Sequence, residues 1–148
     1  MNWIDTARSL VARFFAAHPN HYFKSYVFSL DPIVKISSLK RVFKDPENAL
    51  KEAQRCVREE LSKPRYDESE QEEWTLNAEW IEEGTHKWRD FRAFSFQKEG
   101  IEVLFPPYQV GAYVFGSQSA LIPFKTMLPL MKETYISALG LEYLALSS

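Results

Sequence analysis

Two adjacent prolines set into an apolar, aromatic stretch constrain this chain more than any other feature. The segment from Gly100 to Pro123 reads GIEVLFPPYQVGAYVFGSQSALIP. Ile101, Val103 and Phe105 recur at every second position, which puts their side chains on one face of an extended segment. Pro106 and Pro107 hold φ near about −65° and supply no N–H, so a hydrogen-bonded ladder stops there. Tyr108 follows at once, Gly111 and Gly116 loosen the backbone, and Ala120-Leu121-Ile122 resumes an apolar strand. The pattern predicts two strands on either side of a rigid aromatic corner. It contains no catalytic signature.

The 148 residues suit a single domain large enough to bury a proper core. With 45% apolar and 15% aromatic residues, the composition argues against disorder. A formal charge of −2 gives no electrostatic reason to expect nucleic acid or an anionic membrane as partner. Cys56 is the single cysteine, which rules out an internal disulfide and a cysteine-based zinc site. No cofactor is expected. The opening MNWIDTARSLVARFFAAHPN has an acidic residue ahead of its short apolar run and no long hydrophobic region. As written it reads neither as a signal peptide nor as a membrane span, so the expectation is a cytosolic protein or the soluble part of something longer.

Along the chain, residues 8–15 (RSLVARFF) fit two readings: Leu10, Val11, Phe14 and Phe15 have helical spacing, while the β-branched and aromatic content suits a strand. Ala17-His18-Pro19-Asn20 then turns the chain. His21 to Leu30 reads as a strand, Asp31-Pro32 as a turn, and Ile33 to Ile36 as a short return strand. The clearest element is a helix over 46–62. Asp45 is a natural N-cap, Pro46 takes the first helical position, and Leu50, Ala53, Val57 and Leu61 form one apolar stripe joined by Ala49 and Cys56.

Residues 65–85 carry Asp67, Glu68, Glu70, Glu72, Glu73, Glu79, Glu82 and Glu83 against Arg65, with Trp74, Leu76, Trp80 and Ile81 interspersed. This insert reads as a solvated face or mobile loop, with a short helix where it packs. Trp88 to Phe96 reads as a strand, and Lys98-Glu99-Gly100 as a tight turn into Ile101. Phe124 to Leu139 reads as a helix that Pro129 kinks or divides. The expected fold class is α+β, an antiparallel sheet with helices packed on one face.

Several motifs in order carry a resemblance. Ala17-His18-Pro19-Asn20 precedes the strand YVFSLDP, which leads into Ile36-Ser37-Ser38-Leu39-Lys40-Arg41-Val42-Phe43. A capped helix follows, and later come FRAFSFQKEGIEVLFPPYQVGAYVFG and LIPFKTMLPLM. Together these resemble the C-terminal domain of RsiV-type lysozyme-sensing anti-sigma factors, a domain of unknown function also found in PdaC-type peptidoglycan deacetylases and in a secreted mycobacterial immunogenic protein. The resemblance spans residues 8 to 131 of a single 1–148 domain, with the acidic stretch 65–85 as an insert, and it implies a strand at 8–15. Departures are Ala16-Ala17 in place of a small glycine pair, and Lys40-Arg41 where acidic residues are common. The resemblance implies an extracytoplasmic, bacterial cell-envelope setting. The companion module, membrane anchor and deacetylase domain of such proteins have no counterpart in the sequence as given, so self-association through an open sheet edge or apolar face is a further expectation.

The candidate ligand-binding residues are His18, Asn20, Tyr108, Gln109, Tyr113, Trp74 and Trp80. For His18 and Asn20 the plainer reading is a turn held by side-chain hydrogen bonds to backbone. A His18–His21 metal pair needs a helix that Pro19-Asn20 disfavours, and no nearby carboxylate completes it. Tyr108, Gln109 and Tyr113, with Phe115, offer a surface platform; the plainer reading has Phe105 and Tyr108 plugging the sheet end. Trp74 and Trp80 are anchors if exposed and core if buried, with at least one expected in the core. No G-x-S-x-G elbow surrounds any serine, and no catalytic or metal residue is assigned.

The leading expectation is therefore a non-enzymatic binding or sensing domain for a protein (lysozyme-like) or peptidoglycan-related ligand. Its acidic insert would steer a basic partner. Two alternatives stand beside it: a hydrolase (esterase or cell-wall sugar modification) using a serine and a histidine brought together in space, for which His18 and Ser117 are the residues to test, and a structural accessory domain.

Overall fold

The structure, a computed structural model, describes residues 9–12, 26–30 and 33–146, with side chains from Ile36 onward. It is α+β, built on antiparallel strand pairing throughout the described residues. Strands β1 (Ser9–Ala12), β2 (Tyr26–Leu30) and β3 (Ile33–Lys35) form one sheet in that order, with Leu10 opposite Phe28 and Leu30 opposite Ile33. The backbone thus resolves the double reading of 8–15 as a strand over Ser9–Ala12. The turn at His18–Asn20 lies outside the described residues.

A one-turn 3-10 helix, Leu39–Val42, begins at Ser38, whose hydroxyl accepts the Lys40 N–H. It delivers Leu39, Val42 and Phe43 to the core. Helix α1 (Pro46–Leu61) follows as the sequence predicts. Asp45 accepts the Asn48 backbone N–H at 3.3 Å, and Pro46 occupies the first turn, where its missing N–H costs nothing. Ala49, Ala53, Val57 and Leu61 are fully buried at intervals of four, with Leu50 and Cys56 half-buried beside them. Burial raises the Cys56 thiol pKa. The two alanines let the helix lie close over the central sheet.

That sheet has the order β6–β7–β8: Phe94–Phe96, Gly100–Phe105 and Gln118–Pro123. Directly opposed residues share a face, so the pairs Ile101–Ile122, Val103–Ala120 and Phe105–Gln118 project together. All six are buried, while Glu102, Leu104, Ser119 and Leu121 on the other face are partly or largely exposed. One side of the sheet is core and the other is surface, as the alternation in 101–105 requires.

Two regions differ from the sequence expectation. The acidic stretch is an ordered hairpin, β4 (Arg65–Asp67) with β5 (Glu72–Trp74), followed by α2 (Ala78–Glu83). Asp67 Oδ1 closes the hairpin turn by accepting from the Ser69 hydroxyl, the Ser69 N–H and the Glu70 N–H. Asn77 caps α2 by accepting the Glu79 and Trp80 N–H groups.

The strand expected over Trp88–Phe96 is instead a 3-10 helix at Trp88–Phe91, with β6 confined to Phe94–Phe96. Asp90 Oδ2 accepts from the His86 and Lys87 N–H groups, at 2.9 and 3.0 Å, which bends the backbone. Trp88 Nε1 donates to Pro46 O, and Phe91 is fully buried.

The helix expected over Phe124–Leu139 is divided at Pro129, as the sequence predicts, into α3 (Phe124–Met127), a 3-10 turn Leu128–Leu130 and α4 (Glu133–Ala138). A last helix, α5 (Glu142–Leu146), lies beyond the elements the sequence predicts. Lys44 N–H to Leu130 O and Lys132 N–H to Val42 O tie this end to the segment before α1.

Candidate ligand-binding corner

Pro106 ends β7, and the chain then makes a compact excursion before β8. Gln109 N–H donates to Pro106 O and Tyr108 N–H to Gly111 O, each at 3.1 Å. Closing this turn places Tyr108 at φ 75°, a left-handed conformation that costs a non-glycine residue on the order of 1 kcal/mol. Tyr108 remains 59% exposed. Tyr113 opens the 3-10 turn Tyr113–Phe115 and is also exposed. The two rings lie 5.5 Å apart between centroids and tilted by 32°, with exposed Val114 beside Tyr113 in the chain.

The corner is held on two sides. On one side, Gln109 Nε2 donates to Gly84 O at 2.9 Å and to Asp90 O at 2.7 Å. Gly84 permits this approach because any Cβ there would collide with the Gln109 backbone and Val110 Cγ1. The residues after α2 are themselves fastened to α1. Gln54 Nε2 donates to Thr85 O and His86 O, and Arg58 donates to Thr85 Oγ1, Thr85 O and Glu82 O. On the other side, Phe115 stacks on Trp74 at 4.8 Å and 19°, and the Arg65 guanidinium lies 5.7 Å over the same indole. Arg65 and Trp74 are cross-strand partners in the hairpin, so their stacking follows from the register. Gly111 packs against Leu76, whose Cδ2 would lie 2.7 Å from an added Cβ.

The insert that supports the corner is acidic. Of the eight carboxylates in 65–85, seven are exposed and Asp67 is half-buried. The Ser69 hydroxyl, with the Ser69 and Glu70 N–H groups, holds the Asp67 carboxyl below its ordinary pKa. Glu79, Glu82 and Glu83, with His86 and Lys87, line an open cleft of about 490 Å³. Among the described residues no group of three or more His, Cys, Asp or Glu is arranged to hold a metal ion.

The structure thus brings Tyr108 and Tyr113 together. Gln109 sits between them in sequence, but its amide N–H groups point inward to Gly84 and Asp90, leaving its oxygen for other contacts. Trp74 is half-buried and packs against the core as a support of the Tyr113 turn, while Trp80 on α2 is 37% exposed. Phe105 is fully buried edge-on against Phe91. His18 and Asn20 lie outside the described residues. Sequence reasoning misses Val114 as an exposed neighbour of the pair and Arg65 as a brace; the Arg65–Trp74 spacing would pair them once the hairpin is recognised.

A family described as a protein of unknown function (DUF3298) matches residues 40–125. That span is more than half of the chain and holds the corner, both of its supports and the acidic insert. No curated protein matches the chain. No helix among the described residues is long and apolar enough to cross a membrane.

Proposed function

The chain belongs to the family of unknown function DUF3298, and we propose that it is a binding or sensing domain of the bacterial cell envelope whose ligand is a basic protein of the lysozyme kind. The observation that carries this reading is the exposed Tyr108–Tyr113 pair on a corner fixed from two sides. The outward rings contribute little to the core, and Tyr108 sits in a strained conformation to be there. Strain of this kind persists where surrounding structure over-determines it, and ligand clamps are a common setting. Tyrosine offers a rigid apolar face with a polar tip at low entropic cost, which suits it to recognition.

The acidic insert supports a cationic partner. Exposed carboxylates on the hairpin and α2 attract a positively charged surface over roughly a Debye length, about 8–10 Å at ordinary salt. Lysine and arginine side chains arriving there find tyrosine faces to stack on. The resemblance to RsiV-type lysozyme-sensing domains supports both the envelope setting and the ligand, since lysozymes of the animal type are strongly basic.

Isothermal titration with an animal-type lysozyme at low salt tests the proposal. The expected result is measurable heat, an affinity that falls as salt rises, and loss of binding in a Tyr108→Ser, Tyr113→Ser variant. No heat together with no inhibition of the lysozyme overturns it. Heat with soluble peptidoglycan fragments but none with lysozyme moves the same corner to a glycan ligand.

A further inference from the structure

We infer that the chain docks against a second copy of itself through a groove at its C-terminal end, away from the acidic insert in sequence and independent of the ligand proposed above. The groove is bounded by α3, the 128–130 turn, α4 and α5 and has a volume of about 490 Å³. Leu128 and Ile136 contribute to an apolar floor, and Lys44, Lys125, Glu133 and Glu142 supply its charges. None of these four charges takes part in an ion pair among the described residues.

Beside the groove, Tyr143 and Leu146 stand three residues apart on α5 and therefore share a face. Tyr143 is 53% exposed and Leu146 is 87% exposed. Leu146 contributes almost no buried surface to its own fold, while the groove offers an apolar floor at Leu128 and Ile136.

The charges select the occupant. A partner of one sign, including the basic ligand of the tyrosine corner, would meet like charge at two of the four positions. A two-fold-related copy carries two cations and two carboxylates as well, so each lysine can oppose a glutamate of its neighbour. Self-complementarity of this sort is what an isologous interface demands. Leu146 of each copy then seats over the Leu128–Ile136 floor of the other.

Sedimentation equilibrium of the whole chain up to about 1 mM tests this. The wild type forms dimers, and Leu146→Asp, an exposed substitution whose folding is checked by circular dichroism, weakens the dimer about tenfold or more. Lys125→Glu and Glu142→Lys alone each weaken it similarly, but an equimolar mixture of the two restores a dimer. In the mixed pair, the glutamate introduced at position 125 of one copy meets the lysine introduced at position 142 of the other. The unchanged Lys125 of the second copy meets the unchanged Glu142 of the first. If Glu142→Lys frays α5, the pair Lys44→Glu and Glu133→Lys provides the same crossed test. A wild type that stays monomeric, a dimer indifferent to Leu146→Asp, or a mixture that does not recover overturns the inference.

Discussion

Replacing Gly84 by alanine tests whether the corner is docked on the end of α2 as described. Gly84 has an ordinary φ of −79°, so the substitution carries no conformational penalty of its own. Its cost is spatial. The new Cβ would overlap Gln109 O and come within 2.8 Å of both Gln109 C and Val110 Cγ1, all backbone or core atoms. Overpacking against such neighbours costs about 1–3 kcal/mol. Pushing Gln109 away also loses its bonds to Gly84 O and Asp90 O, about 1 kcal/mol each. The sum is about 3–5 kcal/mol, a large share of the stability of a domain this size.

Urea unfolding followed by tryptophan fluorescence reads the loss directly. With a slope of about 2 kcal/mol per molar, the midpoint falls by about 2 M. Gly116→Ala is the control, because nothing lies within 4 Å of a Cβ there and its φ of 69° makes the penalty conformational. Its cost is about 1–3 kcal/mol with the corner still docked. Gln109→Ala combined with Gly84→Ala falls short of additivity by about 2 kcal/mol, the hydrogen bonds that both single variants lose. A Gly84→Ala protein within about 1 kcal/mol of wild type would falsify the docking geometry.

Tyr108→Gly relieves the left-handed strain and raises stability by about 1 kcal/mol while weakening ligand binding, a divergence read by urea midpoint and calorimetry. Asp45→Ala removes the acceptor for Asn48 N–H and lowers stability by about 1 kcal/mol; an unchanged midpoint would show that the cap contributes nothing. The Asp67 carboxyl has a folded pKa below its unfolded value, so its contribution is present above the unfolded pKa and lost as pH falls through the folded one. Acid titration by NMR therefore loosens the Ser69 and Glu70 amides below the ordinary carboxylate range. Asp67→Asn shows no such transition; identical profiles in both proteins contradict the assignment.

What could be read from the sequence was what depends on local pattern. The period-two alternation of Ile101, Val103 and Phe105 and the Asp45-Pro46 start of α1 are written within a few residues, and both appear as predicted. The hairpin at 65–74 was hidden because its strands carry almost no apolar alternation. It gains order from Trp74 stacking on Phe115, some forty residues away, and from the Asp67 turn. Residues 88–91 have strand-like composition, yet Asp90 reaching back to His86 and Lys87 overrides it. At the corner, the tyrosines were legible as aromatic residues stranded beyond a proline stop. The inward commitment of Gln109 was not, since it depends on which backbone carbonyls the fold brings beneath it.

The most direct test of the proposed function is to add an animal-type lysozyme at low salt and map which amide chemical shifts of the isotope-labelled chain, if any, it perturbs. The largest perturbations are expected at residues 108–116, with a second group along the acidic hairpin at 66–74. Perturbations centred on the exposed face of α1, or none at any lysozyme concentration, contradict it.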